Sequence, residues 1–225
     1  MSDESTRTRA WEAAGRAAAS LVRDGDRVGL GTGRAAAAGI RALGERVREG
    51  LRCTGVPTSP ASAQLAASLG IPLDRMRGPL AIAFDGADIV TPSGLAVKGA
   101  GGAMVRERIV GDAAGRFLVL IDGPKVGGTL DPWGVLPLAV IPFAADHVMD
   151  ALGHLSPSRR PGRSDDALVL VDVRPPAGTD WEALDAEVRT IGGVVDTGLF
   201  RLVPGDVLVG REDGTVVSVD TVDAG

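Results

Sequence analysis

The chain of 225 residues has a single cysteine, Cys53, and only two histidines, His147 and His154. One thiol excludes an internal disulfide, and neither residue type occurs at metal-ligand spacing, so no metal site is expected. Long apolar runs are missing too: none approaches the roughly 18 residues of a membrane-spanning helix. The polar, charged N-terminus does not read as a secretory leader, so a cytoplasmic protein with no membrane association is expected. No Lys/Arg cluster exceeds Arg159-Arg160, and the formal net charge is -5, which disfavours a nucleic-acid partner and points to small molecules. Repeats and low-complexity stretches are also absent. Arginine greatly outnumbers lysine, which reads as compositional bias and not as chemistry.

What is present is a core-forming hydrophobic content of 44% and many glycines. Residues 8–23 read as an Ala-rich helix carrying Trp11, Ala14, Ala18 and Leu21 at helical spacing, stopped by Asp24-Gly25-Asp26. Val28-Gly29-Leu30 then reads as a strand, 31–33 as a glycine loop, and a helix follows with Ile40, Leu43 and Val47 facing inward. The strand–loop–helix unit recurs from Leu51 to Gly70. Apolar runs at 80–84 and 117–121 each end near aspartate and suit strands covered on both faces of a largely parallel sheet. Ligands gather at the carboxyl ends of such strands, so Asp85, Asp88, Asp122 and the 31–33 loop are expected to line one crevice.

After Lys125 the pattern changes to a Gly/Pro-rich loop. It is followed by a strand within 135–143, a helix at 144–155, strand 167–173, helix 181–190 and one strand at 193–200, a small α/β layer. Segment 156–164, rich in Pro, Ser and Arg, reads as an exposed loop, and 206–219 as a terminal hairpin. The expected domains are 1–130 plus 204–225 for the larger unit and 131–203 for the smaller.

Within eleven residues, 98–108 bring together Lys98, a loop of Gly99, Gly101 and Gly102, and Glu107 on a helix. A cation, backbone N–H donors and a carboxylate are the parts needed to move a proton beside a carbonyl. Ala103, Val110 and Ala114 share the face of Glu107; apolar surroundings would raise its pKa, while a solvated position beside Arg106 and Arg108 is the plain alternative. Asp85-Gly86-Ala87-Asp88 fits either a turn or two carboxylates aimed into a pocket. Gly29-Leu30-Gly31-Thr32-Gly33 is not a dinucleotide fingerprint, because Arg34 stands where the third glycine belongs. Thr32 and Arg34 at a helix start still suit an anion.

In order, GLGTG at 29–33, PTS at 57–59, FDGAD at 84–88, KGAGGAMVRERIV at 98–110, Lys125, LPLAVIP at 136–142 and GGVVDTGLF at 192–200 resemble ribose-5-phosphate isomerase of the A type over nearly the whole chain. The resemblance implies a doubly wound α/β domain with a smaller inserted α/β domain, no metal or organic cofactor, and a homodimer or homotetramer. It implies aldose–ketose isomerisation through an enediolate, with Glu107 as proton shuttle and Lys98 and the loop amides steadying negative oxygen. Asp85 and Asp88 would assist ring opening and bind hydroxyls. Gly31, Thr32, Gly33, Arg34, Gly99, Gly101, Gly102 and Lys125 would bind a sugar or sugar phosphate.

The chain departs from the family around the phosphate. Arg34 and Ala35 replace a Ser-Thr pair, Trp11 stands near a lysine position, and Ile89, Pro124, Ala139 and the 164–167 stretch also differ. Either Arg34 replaces the lost donors, or the pocket takes another sugar metabolite against Trp11. A non-catalytic sugar-phosphate sensor is the third reading, disfavoured because no DNA-binding helix pair is expected ahead of the domain.

Overall fold

A computed structural model describes residues 4–221. Helix α1 (Glu4–Ser20) leads into β1 (Arg27–Leu30), α2 (Arg34–Arg48), β2 (Thr54–Pro57) and α3 (Pro60–Ser68). Next come β3 (Ile82–Gly86), β4 (Ile89–Val90), β5 (Leu95–Val97), α4 (Met104–Asp112) and β6 (Phe117–Asp122). Then follow β7 (Leu136–Val140), α5 (Ala145–Ala151), β8 (Ser158–Arg159), β9 (Val169–Val173), α6 (Trp181–Arg189) and β10 (Val194–Thr197). Strands β11 (Leu199–Arg201), β12 (Val207–Gly210) and β13 (Val216–Ser218) complete the order.

The large sheet runs β13-β12-β6-β3-β1-β2 and is parallel except for the β12–β13 hairpin. Side chains alternate between its faces. Val28, Leu30, Ile82, Phe84, Leu118 and Leu120 pack against α1 and α2. Those helices carry small residues where they meet: a Cβ on Gly15 would stand 2.7 Å from the Ala38 backbone. On the other face, Val119, Ile121, Val207 and Val209 meet Ala96 and Phe200, while Ala83 and Val56 meet Val110 of α4. Helices therefore cover both faces, as expected of an α/β fold, but a three-stranded sheet, β11-β5-β4, shares the second face with α4.

The remaining sheet, β10-β7-β9-β8, is antiparallel and packs on α5 and α6 through Leu136, Leu138, Val171, Val148, Trp181 and Val188. Two expectations change here. The single strand at 193–200 is divided at Gly198, with β10 in the four-stranded sheet and β11 paired to β5. Gly198 lets the two sheets cross: its amide donates to Pro137, its carbonyl accepts from Lys98, and a Cβ would lie 2.2 Å from the Lys98 carbonyl oxygen. The segment read as exposed loop contains β8, and Arg160 beside it is tied inward.

Candidate active site

The site lies beyond the carboxyl ends of β1 and β3, under the loop joining β5 to α4. At the end of β1, Gly31 has to be small, because a Cβ there would fall 2.3 Å from Asp85 Cγ. Gly33 holds φ at +94°, a region that favours glycine, and serves as N-cap of α2. The 31–33 loop is braced from β2 and α3. Thr32 Oγ1 lies 2.8 Å from Thr58 Oγ1, Thr58 also donates to the Leu30 carbonyl at 3.2 Å, and Ser62 donates to the carbonyl of Gly31.

Asp85, at 1% exposure, accepts the amides of Thr32 at 3.0 Å and Gly86 at 2.7 Å through Oδ1. Its Oδ2 is 3.1 Å from Lys98 Nζ, and Glu107 Oε2 is also 3.1 Å from that ammonium. Neither oxygen lies along a well-directed hydrogen bond; the ammonium donates instead to the Gly86 carbonyl. The rings of Phe200 and Phe117 flank it at 5.5 and 5.9 Å.

All three charged groups are buried. Burial works against charged Lys98, but Asp85 and Glu107 overcome it and hold the ammonium above the usual lysine range. Burial raises the Asp85 carboxyl despite Lys98. Glu107 is pushed up to about 7, first by burial and then by the Asp85 charge, with Lys98 opposing. One ammonium balances one carboxylate, so the second negative charge is the costly one, and Glu107 is the group brought to about 7. A carboxyl that gains and loses a proton at that pH is suited to general acid–base work.

Above the trio is a cavity of about 190 Å³. Of the sequence-derived candidates, Thr32, Gly33, Arg34, Asp88, Lys98, Gly99, Gly101, Glu107 and Lys125 line it. Asp85 stands behind Lys98. Gly31 and Gly102 stay outside the lining: Gly31 abuts Asp85, and Gly102, with φ +76°, leaves room for Leu170, whose Cδ1 would be 2.7 Å from a Cβ. Asp88 Oδ2 accepts the Ala100 amide at 3.0 Å. Asp122 does not join this crevice. It is buried beside Arg7, whose Nε donates to it at 2.6 Å.

The chain's two lysines, Lys98 and Lys125, both face this cavity. Lys125 donates to the Ala87 carbonyl, and burial lowers its pKa although Asp88 and Asp122 pull the other way. At the mouth, Trp11 is buried, with the Arg34 and Arg7 guanidinium carbons 4.7 and 5.1 Å from its ring. Among the described residues, no group of three His, Cys, Asp or Glu side chains is arranged to hold a metal.

Sequence reasoning missed Arg7 and Arg160. Arg7 lies one helical turn before Trp11, a spacing that places both on one face of α1. Nothing local signals Arg160, which reaches the 98–103 loop from another sheet.

Comparison with known proteins agrees with this architecture. The family model for ribose 5-phosphate isomerase A (phosphoriboisomerase A) matches residues 54–214. Ribose-5-phosphate isomerase A of Thermomicrobium roseum is 41% identical over 220 residues, covering 92% of each chain. That of Natronomonas pharaonis is 42% identical over 214 residues, covering 91% of this chain and 94% of the relative. Ribose 5-phosphate isomerase A of Methanocaldococcus jannaschii superposes with a TM-score of 0.85 at 36% identity, over 92% of this chain and 97% of the other. A D-ribose-5-phosphate isomerase solved in complex with phospho-erythronic acid gives a TM-score of 0.87 at 30% identity, over 94% and 99%. On the motif series, the fold and these matches, the chain belongs to the ribose 5-phosphate isomerase A family.

Proposed function

We propose that the protein interconverts ribose 5-phosphate and ribulose 5-phosphate without a cofactor, through an enediolate. The observation that carries this is the buried Asp85–Lys98–Glu107 trio at the floor of a cavity with two further cations, Arg34 and Lys125, in its lining. Glu107 as carboxylate takes the proton from C2 of the open-chain aldose. The C–H electron pair forms the C1–C2 double bond, and negative charge passes to O1. Lys98 and the loop amides face that charge, which grows only as the proton leaves, so they stabilise the transition state more than the substrate. Glu107 returns its proton to C1, O1 gains a proton and O2 loses one, giving the ketose. Asp88, which lines the cavity, takes and returns the proton in ring opening, while Asp85 holds Lys98 from behind.

Lys125 and Arg34 are the groups proposed for the phosphate, with Trp11 fixing the Arg34 plane by stacking. The ligand of the solved relative, a phosphorylated sugar acid, pairs a phosphate with a planar carboxylate that resembles an enediolate in shape and charge. The test is incubation with ribose 5-phosphate in deuterium oxide. Deuterium should enter beside the carbonyl with wild type and not with Glu107→Gln; no exchange and no ketose with the wild type would overturn the assignment.

Three further parts of the reading belong with it. A homo-oligomer is supported by Phe143, fully exposed, beside half-exposed Ile141 and Val195 at the β10–β7 edge. The smaller domain over 131–203 is supported by the core under the four-stranded sheet, which is drawn mainly from that span. A cytoplasmic site fits a phosphorylated metabolite; no described helix is long and apolar enough to cross a membrane.

A further inference from the structure

Arg160 sits outside the cavity, yet it governs part of the cavity wall. Its Nη1 donates to the carbonyl oxygens of Gly99 at 2.7 Å and Ala100 at 3.1 Å. Its Nε and Nη2 bind Asp172 at 2.8 and 2.6 Å, and its amide donates to the Leu170 carbonyl at 2.9 Å. A guanidinium held by two bonds to one carboxylate has a fixed plane, so the direction of its remaining N–H groups is fixed as well.

A trans peptide holds its C=O and its N–H on opposite sides. Gripping the Gly99 carbonyl therefore turns the Ala100 amide away from Arg160, and Asp88 receives that amide at 3.0 Å. Gripping the Ala100 carbonyl turns the next amide, that of Gly101, away in the same manner. Gly101 lines the cavity, and a Cβ on it would lie 3.8 Å from Thr32 Cγ2 on the facing loop. Among the described residues the Gly101 amide meets no acceptor. Within the loop the Gly102 amide also donates to the Gly99 carbonyl at 3.0 Å, whereas the Ala100 carbonyl is held by Arg160; Gly99 and Gly102 sit at φ +107° and +76°, and glycine has broad backbone freedom. A cation on each carbonyl also polarises the peptide and strengthens its N–H as a donor.

We propose that Arg160 is a positioning residue: through two successive peptides it fixes Asp88 and aims the Gly101 N–H at the oxygen that becomes negative during isomerisation. This rests on the isomerase reading above. Arg160→Ala should lower kcat by roughly 10- to 100-fold while KM changes by less than about threefold, somewhat less than the loss of an oxyanion donor outright. Guanidinium at non-denaturing concentration should restore part of the kcat. Asp172→Asn, which keeps Arg160 but frees its plane, should give a smaller loss of the same kind.

The substrate-independent readout is the pair of backbone amide signals of Ala100 and Gly101 in ¹⁵N NMR. Both should shift and exchange faster with solvent in Arg160→Ala, with the thermal midpoint checked alongside. Unchanged amide signals overturn the proposal, as does unchanged kcat or a loss confined to KM. A wild type inactive on ribose 5-phosphate would overturn the isomerase assignment, while the amide signals would still decide whether Arg160 sets the loop.

Discussion

Glu107 gives a prediction that joins stability to activity. Its carboxyl is 5% exposed and has a pKa of about 7, against about 4.3 for an unperturbed glutamate. An acid of pKa about 7 is roughly one-tenth ionised at pH 6, so kcat/KM should fall about tenfold per pH unit well below neutrality and level off near about pH 8. The same shift bears on folding. Because the folded state holds this proton more tightly than the unfolded chain, its contribution is fully present below about pH 4 and is lost as pH rises through about 7. Glu107→Gln keeps the shape but cannot ionise. Relative to wild type, the variant should gain on the order of 2–3 kcal/mol in stability between pH 5 and pH 8 while losing turnover. Urea unfolding at the two pH values, run beside the pH–rate profile, measures both. An acid limb near pH 4, or equal pH dependence of stability in the two proteins, would refute the reasoning.

Asp85→Asn removes the largest charge-based cause of the raised Glu107 pKa, so the acid limb should move to lower pH as kcat falls; a pH–rate profile reads the shift. Gly31→Ala puts a Cβ 2.3 Å from Asp85 Cγ; a loss of about 1–3 kcal/mol in a denaturant melt and a sharp drop in kcat are expected. Arg34→Ala should raise KM for the phosphorylated sugar by about tenfold or more with little change in kcat, and an unchanged KM would remove Arg34 from the phosphate site. Phe143→Glu should dissociate the proposed homo-oligomer in light scattering without altering the fold by circular dichroism.

The parts legible in the sequence were those written in local pattern. The apolar runs at 80–84 and 117–121 became the central strands β3 (Ile82–Gly86) and β6 (Phe117–Asp122), and the glycine loop at 31–33 became the turn between β1 and α2. The stripe of Ala103 and Val110 put Glu107 on the buried side of α4, the apolar alternative and not the solvated one. Period-two and period-3.6 patterns carry such information because side-chain direction follows backbone geometry residue by residue. The break at Gly198 escaped because a strand that changes sheets keeps its apolar pattern across the crossing. Asp122 looked like a site residue for a similar reason. A carboxylate at the end of a parallel strand is common to both outcomes, and Arg7 on α1 decided which way it turned.

The sequence by itself determined the family, the α/β arrangement and the residues able to carry a proton transfer, since each depends on residue type and spacing along the chain. Only the tertiary structure decided how those residues act together. It stacked Arg34 on Trp11 and brought Arg160 from a second sheet onto the 98–103 loop. It also set Lys98 at 3.1 Å from both Asp85 and Glu107 with all three side chains buried, and so brought the Glu107 pKa to about 7. Burial and Coulomb interaction depend on distances between groups remote in sequence, and no local pattern encodes them.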